Sequence, residues 1–217
     1  MTPNSHPHLR GLYVITDAHL GGGHLAIASA ALRGGARIIQ LRDKSTPPRE
    51  LLAIARELRV LTRQFEALLF VNDRLDLALL CGADGVHLGP DDWPIADVRG
   101  AVKADFLIGA SCATPVQARA AHRDGADLIG IGAVYATSTK TDAGEAIGLD
   151  DLRAIDAATP LPGAAIGGIN LDNIGAVAQT GVAMACVISA IAGAGDAAQM
   201  EAATRALVLG LSLRSAS

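Results

Sequence analysis

The stretch Gln40-Leu41-Arg42-Asp43-Lys44 places charge where an apolar strand would be expected to continue. Ala36-Arg37-Ile38-Ile39, just before it, reads as a short buried strand entered from the Gly34-Gly35 turn signal. Residues two apart on a strand share a face, so Gln40, Arg42 and Lys44 are expected to point the same way. Two cations and an amide on one side of a strand end form a pocket for an anion. Of the 18 Lys and Arg in the chain, only Lys44, Lys103 and Lys140 are lysines, and Lys44 and Lys140 fall in polar clusters at predicted strand ends. A compact ammonium in such a place suits a phosphate. Taken alone, the cluster also reads as a solvated strand end.

Other predicted strands end in the same manner. Asp73 ends the third and Asp92 lies just beyond the fourth. Two carboxylates joined by substrate phosphate oxygens are a usual way to hold Mg²⁺, while each aspartate also reads as a cap of the helix that follows. Thr137-Ser138-Thr139-Lys140 offers three hydroxyls and an ammonium to a carboxylate or phosphate, at the start of a long loop that runs to about Gly148. Gly167-Gly168 and Ile188-Ser189 can present backbone N–H groups to an anion, or serve as tight turns needing positive φ. His87 reads as a structural strand histidine, His122 as solvated and Trp93 as a packing residue. No Ser/His/Asp triad or Cys/His pair is evident, so a hydrolase reading has no support.

The elements that must position these groups alternate along the whole chain. Strands are expected at Leu12–Thr16, Arg37–Leu41, Leu68–Asn72, Gly85–Leu88, Phe106–Ala110, Leu128–Val134, Gly163–Gly167 and Met184–Ser189. Helical periodicity fills the gaps, most clearly from Leu51 to Leu61 behind Thr46-Pro47-Pro48. The other helices are expected near His24–Leu32, Leu75–Leu80, Ile95–Val102, Pro115–Ala121, Leu149–Ile155, Asn173–Gln179 and Ala197–Leu211. Gly34-Gly35, Gly82-Ala83, Gly125-Ala126 and Gly181 read as helix C-cap signals. Eight strand–helix units without a composition shift predict an α/β chain folded as a single (β/α)₈ TIM barrel, with residues 1–10 a short N-terminal tail and 11–217 the catalytic domain. An open doubly wound sheet lacks its GxGxxG, because Gly21-Gly22-Gly23 has the wrong spacing. In a TIM barrel the active site lies at the C-terminal ends of the strands, where these polar groups fall, and Asp73 and Asp92 end neighbouring strands.

Composition narrows the function classes. Only 3 % of the residues are aromatic, so the core must be aliphatic, and a net charge of −4 without a basic run argues against nucleic-acid binding. Cys81, Cys112 and Cys186 form no CxxC pair, which fits a reducing, cytoplasmic setting better than a disulfide framework or zinc site. Met1 to Arg10 has no apolar core of a signal peptide, and the most apolar window, Val182 to Gly195, is too short to span a bilayer. A soluble protein with no membrane partner is expected; its oligomeric state is not legible.

Tyr13-Val14-Ile15-Thr16-Asp17, Gln40-Leu41-Arg42-Asp43-Lys44, Asn72-Asp73-Arg74, Gly82-Ala83-Asp84-Gly85-Val86-His87-Leu88-Gly89, Thr139-Lys140 and Ile166-Gly167-Gly168-Ile169 occur in order. Together they resemble the thiamine phosphate synthase family over nearly the whole chain. The resemblance implies a (β/α)₈ barrel that joins 4-amino-2-methyl-5-hydroxymethylpyrimidine diphosphate to a thiazole (or carboxythiazole) phosphate and releases diphosphate. By position it implies Gln40, Leu41, Arg42, Asp43, Lys44, Asn72, Ser111 and Lys140 as the pyrimidine diphosphate site, with Arg42, Lys44, Ser111 and Lys140 acting in catalysis. It implies Asp73 and Asp92 as Mg²⁺ ligands, and Thr137, Ser138, Thr139, Gly168, Ile188 and Ser189 as the thiazole phosphate site. Pro90 stands where the family often has Gln, and Cys112-Ala113 where polar residues or His are frequent; neither removes a charged group.

Cations and Mg²⁺ would make diphosphate a good leaving group, and the electron-rich pyrimidine would stabilise the cation left behind, so no protein nucleophile is required. Ile38 and Ile131 are candidates to keep water from that cation. The loop from Thr137 to about Gly148 is expected to close over both substrates and carry Lys140 to the diphosphate. A thiazole phosphate tautomerase-like barrel would keep the phosphate site without the diphosphate cluster, and a non-catalytic binder of phosphorylated ligands would leave the paired metal site unexplained.

Overall fold

A computed structural model describes residues 8–137 and 145–212. Eight strands, β1 (Gly11–Ile15), β2 (Ile38–Leu41), β3 (Leu68–Asn72), β4 (Gly85–Leu88), β5 (Leu107–Cys112), β6 (Leu128–Ile131), β7 (Gly163–Ile166) and β8 (Met184–Val187), pair in sequence order. All pairs are parallel, and β8 returns to β1 to close the barrel. The outer layer is α1 (His24–Arg33), α2 (Pro48–Gln64), α3 (Leu75–Cys81), α4 (Ile95–Ala101), α5 (Pro115–Arg123), α6 (Gly148–Asp156) and α7 (Ile174–Ala178), then a four-residue α8 (Ser189–Ala192) and α9 (Ala197–Ser212). The chain is therefore the expected (β/α)₈ barrel, with α8 as an addition. Strand β8 ends two residues early because Ile188 leaves the extended conformation and Ser189 opens α8.

Period-two alternation divides the apolar residues into two clusters. Tyr13, Ile15, Ile38, Phe70, Leu107, Leu128 and Met184 fill the barrel interior. Leu12, Val14, Ile39, Leu41, Val71, Val86, Ile108 and Ile129 face the helices. Ile38 thus lies inside, as its proposed water-excluding role requires, whereas Ile131 belongs to the layer under the helices. Its strand position, odd-numbered on β6, puts it on the outer face.

Two ion pairs recur at the N-terminal ends of the strands. Arg59 of α2 makes a two-pronged pair with Asp84 at 2.7 and 2.8 Å, and Asp84 accepts the Leu69 amide at 2.7 Å. Arg99 of α4 pairs with Asp127 at 2.7 Å, and Asp127 accepts the Ile108 amide at 2.8 Å. Each clamps a helix to two adjacent strands at the end opposite the loops that carry the polar groups. Among the described residues no helix is long and apolar enough to cross a membrane.

Candidate active site

The strand ends surround a cavity of about 690 Å³ at the C-terminal face of the barrel. Arg42, Lys44, Asn72, Asp73, Asp92 and Ser111 line it from the β2–β5 side. Thr137, Gly168, Ile188 and Ser189 line it from the β6–β8 side. Residues expected from seven different strand ends therefore share one space. Ser138, Thr139 and Lys140, with most of the expected closing loop, lie outside the described residues.

The Gln40–Lys44 segment splits by face. Arg42 and Lys44 reach the cavity, and among the described residues neither is within salt-bridge distance of a carboxylate. Gln40 points inward as expected but sits in the barrel interior, where its amide donates to Tyr13 Oη at 2.7 Å. Leu41 is buried beneath the helices. Asp43 turns its carboxylate away from the cavity and into the protein, so neither the Leu41 nor the Asp43 side chain is among the lining groups. Alternation turns Leu41 outward, whereas Asp43 lies past the end of β2 and is held away from the cavity by its own hydrogen bonds.

Asp43 accepts from the Ser45 and Thr46 amides at 2.7 and 2.9 Å, from their hydroxyls at 3.0 and 2.7 Å, and meets His24 Nε2 at 3.0 Å. Burial works to raise its pKa, but the hydrogen bonds from Thr46, Ser45 and His24 outweigh it and hold the carboxyl well below its ordinary value.

The carboxylate pair behaves differently. Asp73 follows β3 in a left-handed backbone conformation, φ 53°, which Asp tolerates better than most residues. Its amide donates to the His87 carbonyl, and Asn72 Nδ2 donates to its Oδ2 at 2.9 Å. Burial and the nearby Asp92 carboxylate raise the Asp73 pKa, against the smaller pull of Lys44 and Arg74. Asp92 Oδ2 accepts the Gly89 amide at 2.6 Å, which fixes the carboxylate rather than capping α4, whose N-cap is Pro94. Two converging carboxylates that repel each other suit a divalent cation. No third His, Cys, Asp or Glu joins them among the described residues, so phosphate oxygens and water would have to complete the shell, the habit of Mg²⁺.

His87 differs from its sequence reading. It lines the cavity, and its Nε2 is 3.1 Å from Ser111 Oγ. A Cβ on Gly109 would fall 2.5 Å from His87 Nδ1, and one on Gly130 3.0 Å from its Cε1. The two glycines on β5 and β6 thus clear space for the imidazole. Trp93 is 68 % exposed and so is no packing residue, while His122 is solvated as expected. The cavity thiol of Cys112 is pushed up to about 11 by burial, so it is no nucleophile near neutral pH.

On the far side, Gly167 and Gly168 have φ of 103° and 64°. A Cβ at Gly168 would stand 2.6 Å from the Ala136 carbonyl oxygen, so only glycine permits this close passage of the β7 turn beside the loop after β6. The turn after β7 and the start of α8 are where TIM barrels commonly bind phosphate.

Residues 12–191 match the family model described as thiamine monophosphate synthase. The chain belongs to the thiamine monophosphate synthase family. It is 47 % identical to the thiamine-phosphate synthase of Moorella thermoacetica, covering 86 % of this chain and 90 % of that one. It is 50 % identical to the thiamine-phosphate synthase of Methanospirillum hungatei, covering 83 % and 89 %. Among solved structures, thiamine phosphate pyrophosphorylase from Pyrococcus furiosus superimposes with a TM-score of 0.87 at 43 % identity, over 94 % of this chain and 96 % of that one. In this barrel of the thiamine monophosphate synthase family, the cation cluster and the β7–β8 turns line one cavity.

Proposed function

We propose that the protein joins a hydroxymethylpyrimidine diphosphate to a thiazole phosphate, giving thiamine phosphate and diphosphate. The observation that supports the reading is one cavity lined both by the Arg42 and Lys44 cations after β2 and by the glycine turn after β7 with the start of α8. In an eight-stranded ring the ends of β3 and β4 lie opposite those of β7 and β8, with β2 beside β3. A space of about 690 Å³ suits two small substrates side by side. Family membership adds weight, since the relatives bear the name of this activity.

Arg42 and Lys44 would hold the diphosphate, with Lys140 as a further cation. Thr137, Ser138, Thr139, Gly168, Ile188 and Ser189 would hold the thiazole phosphate. Asp73 and Asp92 would hold Mg²⁺, which supplies charge neutralisation to the leaving diphosphate when bound. The methylene carbon–oxygen bond breaks with its electron pair leaving on diphosphate, and the thiazole nitrogen lone pair forms the new carbon–nitrogen bond. Asn72, Ser111 and His87 present hydrogen-bonding groups along the wall between the two sites, where the pyrimidine would be oriented. Ile38 and Phe70 keep the barrel beneath it dry. The chain's task is positioning and charge compensation, with no covalent step on the protein.

Incubation of the purified protein with both substrates and Mg²⁺ should yield thiamine phosphate and diphosphate in equal amounts by chromatography. Folded protein that produces neither would overturn the proposal, and isomerisation of the thiazole phosphate without coupling would assign it to the tautomerase-like alternative.

A further inference from the structure

The reaction outlined above uses Arg42 and Lys44 but leaves idle a polar network buried behind them. Thr16 follows β1, His24 is the first residue of α1, and Asp43 lies between the two cations in the turn after β2. Thr16 Oγ1 is 2.7 Å from His24 Nδ1, and His24 Nε2 is 3.0 Å from Asp43 Oδ2. The side chains of His24 and Asp43 are 4 % and 1 % exposed, and Thr16 is 1 % exposed. Since the Asp43 carboxylate accepts at both oxygens, His24 Nε2 carries the proton between them. The Thr16 hydroxyl also stands 3.2 Å from the Gln40 carbonyl oxygen, within the strand that leads into the turn.

Burying three polar side chains is costly unless each is satisfied, and here each is. What the network holds is specific. The β2 ladder stops at Leu41, and beyond it the Asp43 carboxylate gathers the amides and hydroxyls of Ser45 and Thr46 into one compact turn. His24 then ties that turn to the ends of β1 and α1. The residues so fixed are the ones that carry Arg42 and Lys44 into the cavity.

We propose that Thr16, His24 and Asp43 form a positioning network, with His24 at its centre, that presets the turn bearing Arg42 and Lys44 to receive diphosphate. This rests on the reading of those two cations as the diphosphate site. A displacement near 1 Å at a reacting group can cost about 10²-fold in rate, so a loosened turn should be measurable. It should be felt at one substrate only, because the β7–β8 side shares none of these contacts.

The test compares His24→Leu with His24→Gln, whose amide nitrogen can still donate to Asp43. His24→Leu should raise KM for the pyrimidine diphosphate about tenfold or more and weaken calorimetric binding of inorganic diphosphate with Mg²⁺, leaving the thiazole phosphate KM unchanged. His24→Gln should recover most of the loss. If His24→Leu does not fold by circular dichroism, Thr16→Val, close in volume, carries the test with a several-fold rise in the same KM. A folded His24→Leu with unchanged constants, an equal rise in both KM values, or no recovery in His24→Gln would overturn the inference, as would an unchanged Thr16→Val where that variant carries the test. Arg42→Ala is measured alongside. If it leaves diphosphate binding intact, the reading of the site falls; if it abolishes binding while folded His24→Leu does not weaken it, only the network's role falls.

Discussion

Removing the Arg42 side chain tests the division of the cavity into two sites. Arg42 is half-buried at the cavity wall, whereas Lys44 is exposed at its rim, and among the described residues neither is paired with a carboxylate. Opposite unit charges 4 Å apart attract by about 1 kcal/mol in water and about 4 kcal/mol at the effective dielectric near a protein surface. Arg42 belongs to the second regime, so Arg42→Ala should cost about 2–5 kcal/mol of transition-state stabilisation, the range for removing one partner of a desolvated charge contact. At about 1.4 kcal/mol per decade this is roughly 30- to 5,000-fold in kcat/KM. Lys44→Ala, in the first regime, should cost no more than about tenfold. Steady-state kinetics with each substrate varied in turn, on protein shown to be folded by thermal melting, gives both numbers. If Arg42→Ala raised only the thiazole phosphate KM, the two sites would be reversed; if Lys44→Ala cost more than Arg42→Ala, burial would not set the magnitude.

Asp92→Asn should lower turnover and weaken the dependence on divalent cation while leaving the melting temperature nearly unchanged; full wild-type activity in excess chelator would refute the metal site. Asp127→Ala strands the Ile108 amide and leaves the Arg99 guanidinium bonded only to carbonyls, which should cost about 2–4 kcal/mol of stability, or roughly 4–16 °C in Tm, without altering KM for either substrate. Asp43 has a folded-state pKa below its unfolded value, so its carboxylate adds stability that is fully present above about pH 4 and is lost as pH falls through the folded value. The gap in unfolding free energy between wild type and Asp43→Asn should therefore be constant from pH 5 to 8 and shrink in acid; a gap that widens in acid would contradict the hydrogen-bond assignment.

The barrel was legible because its punctuation is local. Expected bounds for β3 and β4 coincide with those observed, since Asn72-Asp73 ends one apolar run and Gly85 and Gly89 bracket the other. Strand β6 was overextended to Val134 because Gly132-Ala133-Val134 stays apolar after the backbone leaves the ladder at Ile131. Nothing in residue type marks that departure. Helix α8 was hidden for the same reason, as Ile188-Ser189-Ala190 continues an apolar run while its backbone turns helical. Among the described site residues, Arg42, Lys44, Asn72, Asp73, Asp92, Ser111, Thr137, Gly168, Ile188 and Ser189 line the cavity, Gln40, Leu41 and Asp43 do not, and His87, read only as a structural strand histidine, lines it as well. Its signal is non-local: the space for its ring depends on Gly109 and Gly130, which only the pairing of β4 with β5 and of β5 with β6 brings beside it.

The pentapeptide from Gln40 to Lys44 shows why chemistry read along a chain and chemistry read across a fold can differ. Five consecutive polar or apolar groups resemble one binding strip, yet the fold assigns them to three environments: the barrel interior for Gln40, the helix interface for Leu41 and the cavity for Arg42 and Lys44. The remaining member, Asp43, faces a histidine nineteen positions away. A carboxylate set beside two cations would ordinarily be drawn to them and weaken both for an incoming anion. Five donors from His24, Ser45 and Thr46 prevent that, because they satisfy Asp43 where it is not part of the cavity lining. The same contacts that fasten the turn therefore keep Arg42 and Lys44 unneutralised, and a site for diphosphate needs both properties at once.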